Sequence, residues 1–276
     1  MKTLETMRNR RSVRSFDGKA LSQEDAGRIL EFAAKADNPY GIPIEWKLLD
    51  SKKDGLSSPV IVGTDTFIAG KMQQVPHAEE AFGYSFEKTV LYAWSLGVGT
   101  TWIAGTMDRQ AFEKAMEVEE GEVMPCISPL GYAAKKMSLR ETLMRKAIKA
   151  DTRLEQGEIF FDGSFDKPLA KEGCAVPGTM LEAVRLAPSA VNKQPWRMVV
   201  CGNKVHFYEK YAKNYVSDDG WDIRKIDLGI ALCHFAMEAE ECGTDVSFEI
   251  IDPGIPAPED FRYIASFEIN TKKEMI

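Results

Sequence analysis

Four arginines and two serines crowd into RNRRSVRSF, where Arg10, Arg11 and Arg14 surround Ser12 shortly before the first strongly helical stretch. A guanidinium carries a fixed fork of donors that matches phosphate oxygens, and a hydroxyl can bond a phosphate or polyol oxygen. The cluster suits an anion; standing alone it also suits a solvated basic arm.

A second polar group lies far along the chain in APSAVNKQPW, residues 187–196. Pro188 ends the preceding helix and turns the backbone, so Ser189, Ala190 and Asn192 fall in a loop whose main-chain groups can meet a ligand. Asn192 offers both an acceptor and donors, the complement of a flat heterocycle edge. A structural alternative is that Asn192 and Gln194 only tie down the loop while Trp196 packs into the core, and for Gln194 and Trp196 that reading is preferred.

Together RRSVRSF and PSAVNKQPW resemble the nitroreductase family of FMN-dependent oxidoreductases, and SLGVGTTWIAG and SPLGY resemble two further motifs of that family. The resemblance implies an α+β fold of mainly antiparallel sheet packed by helices, usually an intertwined homodimer with two FMN sites at its interface. One subunit then supplies the arginine-rich start and its partner the PS-x-x-N loop. On this sequence the resemblance puts Arg10 at the FMN phosphate with Arg11 in the same cluster, Ser12 at the phosphate or ribityl chain, and Arg14 near N1 and O2 of the isoalloxazine. Pro188, Ser189, Ala190 and Asn192 would cover the other face and edge of the ring. A backbone N–H of Gly105, with Ala104 beside it, would come near N5, and Lys135, Lys136 and Arg140 are further phosphate candidates. A cation beside N1 and O2 stabilises the charge that a reduced flavin accumulates, so Arg14 would tune the cofactor while the flavin carries the hydride.

The activity implied is transfer of hydride from NADH or NADPH, a transient visitor, to a small acceptor such as a nitroaromatic or quinone. No side chain is assigned as a catalytic acid, base or metal ligand. A flavin-binding or storage protein without turnover, and a dehalogenase or flavin-modifying enzyme of the same superfamily, stay open as alternatives. Where family members place polar residues between the first loop and the long helix, this chain has only Lys71, Gln73 and Gln74 as substitutes.

The elements that must position these residues follow from local pattern. Ser22 with Asp25 forms a capping box ahead of LSQEDAGRILEFAAKA, whose Ile29, Leu30 and Ala33 recur at helical spacing. Strands are expected at IEWKLLD, SSPVIVGTD, TTWIAG and MPCISPLGY, helices at SFEKTVLYAWSL and DRQAFEKAMEVEE, and a basic helix or extended tail at KKMSLRETLMRKAIKAD. The later half brings a helix at VPGTMLEAVRLA, strands at RMVVCG and KVHFYEK, a long helix at DIRKIDLGIALCHFAMEAEECG, and strands at TDVSFEII and YIASFEIN.

This order repeats. SFDGKAL echoes SFDKPL, RILEFAAKA echoes TMLEAVRLA, and Gly83, Ala93 and Gly97 match Gly229, Ala239 and Gly243 at one constant offset. An internal duplication is read from the shared order, with halves at 1–150 and 151–276 acting as a fused pseudo-dimer. The repeat is degenerate: IFFDG, which aligns with Arg10–Arg14, has no cation, and DNPYGIPIEW has lost the PS-x-x-N pattern. Both losses fall in one composite site, so a single FMN is expected, its phosphate on the first half and its ring-side loop on the second. The fusion is consistent with a functional monomer.

Composition narrows the rest. The chain has 276 residues, 44% of them hydrophobic, and a formal charge of −7, which argues against a nucleic-acid surface. Five cysteines without a CxxC pair and three isolated histidines argue against a disulfide framework or zinc site and point to a cytoplasmic protein. The N-terminus has no apolar export core. The uncharged stretch 89–107 approaches a membrane span in length, but its glycines and threonines read as a helix stop followed by a strand.

Overall fold

Residues 2–170, 174–217 and 220–270 are described by the structure, a computed structural model of the chain. They form two units. The first is built on Asn9–Asp151; the second takes Lys2–Arg8 together with the chain from Thr152 onward. The opening helix α1 (Thr3–Asn9) thus packs mostly with the second unit, where Thr3 Oγ1 donates to Glu241 Oε2 at 3.3 Å.

The first unit starts with α2 (Gln23–Lys35), which buries Ile29 and Ala33. Ser22 Oγ accepts from the Asp25 amide at 3.0 Å, closing the expected cap. Then come β1 (Glu45–Asp50), the single turn α3 (Ser51–Asp54), β2 (Thr66–Gln73) and the long helix α4 (Ala78–Ser95). The unit is completed by α5 (Arg109–Ala115), β3 (Glu122–Val123), β4 (Ile127–Leu130) and α6 (Leu139–Ala147). β2 is the centre of the sheet: β1 lies antiparallel on one edge, and β4 and β3 follow one another antiparallel along the other. Phe67, Ile103, Phe112, Met116 and Ile127 share one buried core.

Two expected strands are absent. SSPVIVGTD and TTWIAG form no strand and pair only through single bridges, Ser15 with Val62, Ser12 with Thr100 and Ile103 with Ile127. Pro59 and the left-handed Gly63 (φ 85) break the first of these segments, and a Cβ at Gly63 would stand 2.3 Å from the Phe16 carbonyl oxygen. The strand in that region is instead β2, whose sequence TFIAGKMQ carries Gly70 and Lys71 at its middle. The stretch 89–107 is not one helix: it ends α4, turns at Gly97 (φ 79) and continues irregularly. Among the described residues no helix is long and apolar enough to cross a membrane.

The second unit runs α7 (Gln156–Ile159), β5 (Phe160–Asp162), α8 (Gly178–Leu186), β6 (Trp196–Cys201), β7 (Lys204–Lys210), α9 (Ile223–Glu241), β8 (Val246–Glu249) and β9 (Phe261–Ile269). Its sheet has the order β5-β6-β7-β9-β8, antiparallel except for β5 beside β6. Phe207, Phe235 and Phe267 pack α9 onto this sheet. With the intervening α3, α5, β3 and β8 set aside, both units of the mixed α+β architecture follow a helix–strand–strand–helix–strand series: α2, β1, β2, α4, β4 in the first unit and α8, β6, β7, α9, β9 in the second. In each, the second strand is paired antiparallel on both sides by the first and last.

Candidate functional site

Backbone hydrogen bonds bring three of the sequence motifs together in the first unit. The Val13 amide donates to the Thr100 carbonyl at 2.8 Å, the Gly99 amide to Gly131 O at 2.7 Å, and the amide of Asp17 to Tyr132 O at 2.9 Å. RRSVRSF thus runs between GVGTTWIAG and SPLGY. On its other side the Val62 amide donates to Arg14 O and the Phe16 amide to Val62 O. Gly99 permits the approach: a Cβ there would lie 2.9–3.1 Å from three carbons of the Val13 side chain. The motif glycine makes room for the strand-like arginine segment.

Buried acids meet the arginines. Arg10 Nε lies 3.8 Å from Glu87 Oε1, the two side chains 5% and 0% exposed, and Glu87 Oε2 accepts from Trp102 Nε1 at 3.0 Å. Arg11 Nη1 lies 3.5 Å from Glu141 Oε1. Burial lowers the Arg14 pKa from its ordinary value, with Glu141 opposing that shift and Arg145 adding to it. Several buried polar atoms have no hydrogen-bond partner: Nε and Nη1 of Arg10, Nη1 of Arg11, and the hydroxyls of Thr100 and Thr101. Unsatisfied guanidinium donors and unsatisfied hydroxyls are costly unless an external group completes them. Their chemistry fits a phosphate ester, with Arg10, Arg11 and Arg14 outnumbering Glu87 and Glu141, while Arg145 is paired with Asp151.

The remaining predicted residues of this unit differ in exposure and in partners. Ser12 is half-buried and bridges to Thr100. Ala104 is half-buried and its carbonyl accepts from Arg109 Nη2 at 2.8 Å, while Gly105 is exposed. Lys135 and Lys136 are exposed, and the exposed Arg140 donates from Nη1 to Pro59 O. Lys71 belongs to a separate ion group, 2.9 Å from Glu122 and 3.6 Å from Glu45.

In the second unit Pro188, Ser189, Ala190 and Asn192 form the loop between α8 and β6, as read from the sequence. Val191 (φ 45), Asn192 (φ 58) and Gln194 (φ 50) are all left-handed, a strained state that for a β-branched valine is rare. Hydrogen bonds over-determine it: Gln194 N donates to Ser189 Oγ at 2.8 Å, and Ala190 N donates to both oxygens of Asp227 at 3.0 and 3.1 Å. Gln194 Oε1 accepts from Leu154 N at 2.9 Å and Trp196 is fully buried, so both are structural. Asn192 is held within its own unit, Nδ2 donating to Thr152 O at 3.1 Å and Oδ1 accepting from Arg153 at 3.4 Å.

The family profile described as "Putative TM nitroreductase" matches residues 2–239. The chain belongs to this nitroreductase family. A "putative nitroreductase" from Thermotoga maritima has a similar solved structure, with TM-score 0.62, 20% identity, and 98% of this chain and 95% of that one covered. That likeness shows the fold across both units. An "FMN-dependent Nitroreductase" from Clostridium difficile R20291 is 20% identical at TM-score 0.41, over 51% of this chain and 94% of that one. A nitroreductase family protein from Clostridium novyi NT is 18% identical at TM-score 0.42, over 49% and 87%. No curated protein matches.

Reading by sequence missed three acids of this nitroreductase-family chain: Glu87, Glu141 and Asp227. Each lies on a helix, where an acid ordinarily faces water. Ser138 and Glu141 do spell S-x-x-E, which suggests a cap and conceals the inward turn of the carboxylate. His206 and His234 are buried and bonded to Ser266 Oγ and Ala183 O, and among the described residues no group of three His, Cys, Asp or Glu could hold a metal.

Proposed function

We propose that the protein is an FMN-dependent oxidoreductase that takes hydride from NADH or NADPH and reduces a small acceptor such as a nitroaromatic or quinone. The observation that carries this reading is the half-buried arginine segment with unsatisfied donors, held among three interlaced family motifs in the first unit. Arg10, Arg11 and Ser12 would hold the phosphate end, with the exposed Lys135, Lys136 and Arg140 adding positive potential nearby. FMN, when bound, supplies the two-electron carrier. Arg14 would offset negative charge on the reduced cofactor, and Gly105, with no side chain, leaves the backbone after Ala104 open to approach.

The ring-side contribution is assigned to Pro188, Ser189, Ala190 and Asn192 on the grounds of the motif alone. Since each half has lost the motif that the other keeps, we assign one FMN to each chain, and we take the fused chain to work as a monomer in the cytoplasm. FMN titration of the purified protein, followed by absorbance, tests the cofactor: saturation at one flavin per chain supports the reading, two flavins refute the single site, and no uptake refutes the function. Oxidation of NADH or NADPH by the loaded protein, with and without a nitro or quinone acceptor, separates an enzyme from a flavin store.

A further inference from the structure

We propose that Glu141 is a tuning residue for the cofactor, a buried counter-charge that limits how strongly the arginine segment favours reduced over oxidised FMN. The inference rests on the FMN reading above and deepens it.

The geometry begins at the start of α6. Ser138 Oγ accepts from the Glu141 amide at 3.1 Å and so caps the helix. In S-x-x-E the glutamate ordinarily folds back onto the amide of the serine. Here that amide donates instead to Ser15 Oγ at 3.1 Å, which docks the helix start on RRSVRSF. The displaced Glu141 side chain is 1% exposed, its Oε1 lies 3.5 Å from Arg11 Nη1, and neither of its oxygens accepts a hydrogen bond.

A buried carboxylate without hydrogen bonds is expensive, and a stabilising role is an insufficient reason for it. Its effect on charge is the alternative. The Glu141 carboxylate favours the Arg14 cation, and Arg145, one turn further along α6, disfavours it. The same helix therefore sets an anion and a cation of opposite effect on the residue assigned to the flavin. Negative charge added on reduction meets a weaker positive field with the Glu141 carboxylate in place and a stronger one with an uncharged side chain at that position. Arg145 acts in the reverse sense.

Redox titration of the FMN-loaded protein and its variants tests this. Glu141→Gln raises the midpoint potential by about 30 mV, the equivalent of a tenfold gain in preference for the reduced form in a two-electron couple. Glu141→Asp, which keeps the charge, stays near wild type, and Arg145→Gln lowers the potential. A glutamate that only braced α6 would change thermal stability and leave the potential in place. Equal potentials in wild type and Glu141→Gln at full occupancy overturn the proposal and leave the FMN reading intact. Should Glu141→Gln fail to hold FMN, an unchanged or raised potential in Arg145→Gln overturns it. Wild-type protein that takes up no FMN overturns both.

Discussion

Asp227 holds the main chain of Ala190 with both of its carboxylate oxygens, at 3.0 and 3.1 Å from the amide nitrogen. The aspartate comes from the buried side of α9, and the alanine opens the strained turn that continues through Val191 and Asn192. An acid whose pKa burial pushes well above the ordinary range thereby fixes a loop that the family motif assigns to the flavin ring.

Removing that acceptor should loosen the loop. Asp227→Ala leaves the Ala190 amide unpaired, a cost of about 1–3 kcal/mol, and should weaken FMN binding about tenfold. Asp227→Asn keeps one acceptor oxygen and should recover most of both losses. Thermal unfolding and flavin titration of the two variants check this, and wild-type values for Asp227→Ala would show that the loop stands without it.

Acidity in the second unit gives a pH dependence of defined sign. Glu209 is fully buried opposite Trp196, and burial, reinforced by Asp222, raises its carboxyl from 4.5 to about 7. A raised folded pKa favours the neutral acid, so its stabilisation is complete below about 4.5 and is lost as pH climbs through about 7. The shift corresponds to about 3 kcal/mol. Asp227 acts in the same direction. Denaturant unfolding at pH 5 and pH 8 should show wild type weaker at the higher pH, with Glu209→Gln losing markedly less. Equal pH sensitivity in the two proteins would exclude Glu209 as the source.

Gly99 should tolerate no side chain. Gly99→Ala drives a methyl into Val13 and should cost about 1–3 kcal/mol, with a matching loss of FMN affinity because Val13 lies between the arginines. Val13→Ala in the same chain opens the space and should return part of the stability. A double variant no more stable than Gly99→Ala would place the damage elsewhere.

Arg14 should matter to the cofactor more than to the fold. Losing one charged contact, worth about 1.5–3 kcal/mol, should weaken FMN binding in Arg14→Ala by roughly tenfold to a hundredfold or slow reduction by NAD(P)H correspondingly. Stopped-flow reduction and flavin titration read the two effects separately.

Much of the fold was legible because its signals are local. Ser22 and Asp25 announced α2, and apolar runs bounded by turns announced β1, β4, β6, β7 and β9. β2 escaped because Gly70 and Lys71 disguise a central strand. Their reasons are tertiary: a Cβ at Gly70 would lie 2.4 Å from the Trp46 ring, and Lys71 is neutralised by Glu122 from β3. TTWIAG looked like a strand because apolar content reports burial, and burial alone does not make a ladder.

The sequence by itself determined the family, the α+β class, the repeated order of elements and the motifs that carry the arginines and the PS-x-x-N loop. Those depend on residue type, periodicity and short spacing. Only the tertiary structure decided which acid meets which arginine, that Ser15 takes the Ser138 amide and turns Glu141 inward, and that Asp227 seizes the Ala190 amide. Such pairings join positions far apart in the chain. Desolvation makes each of them consequential, since a charge removed from water is governed by the few groups the fold leaves beside it.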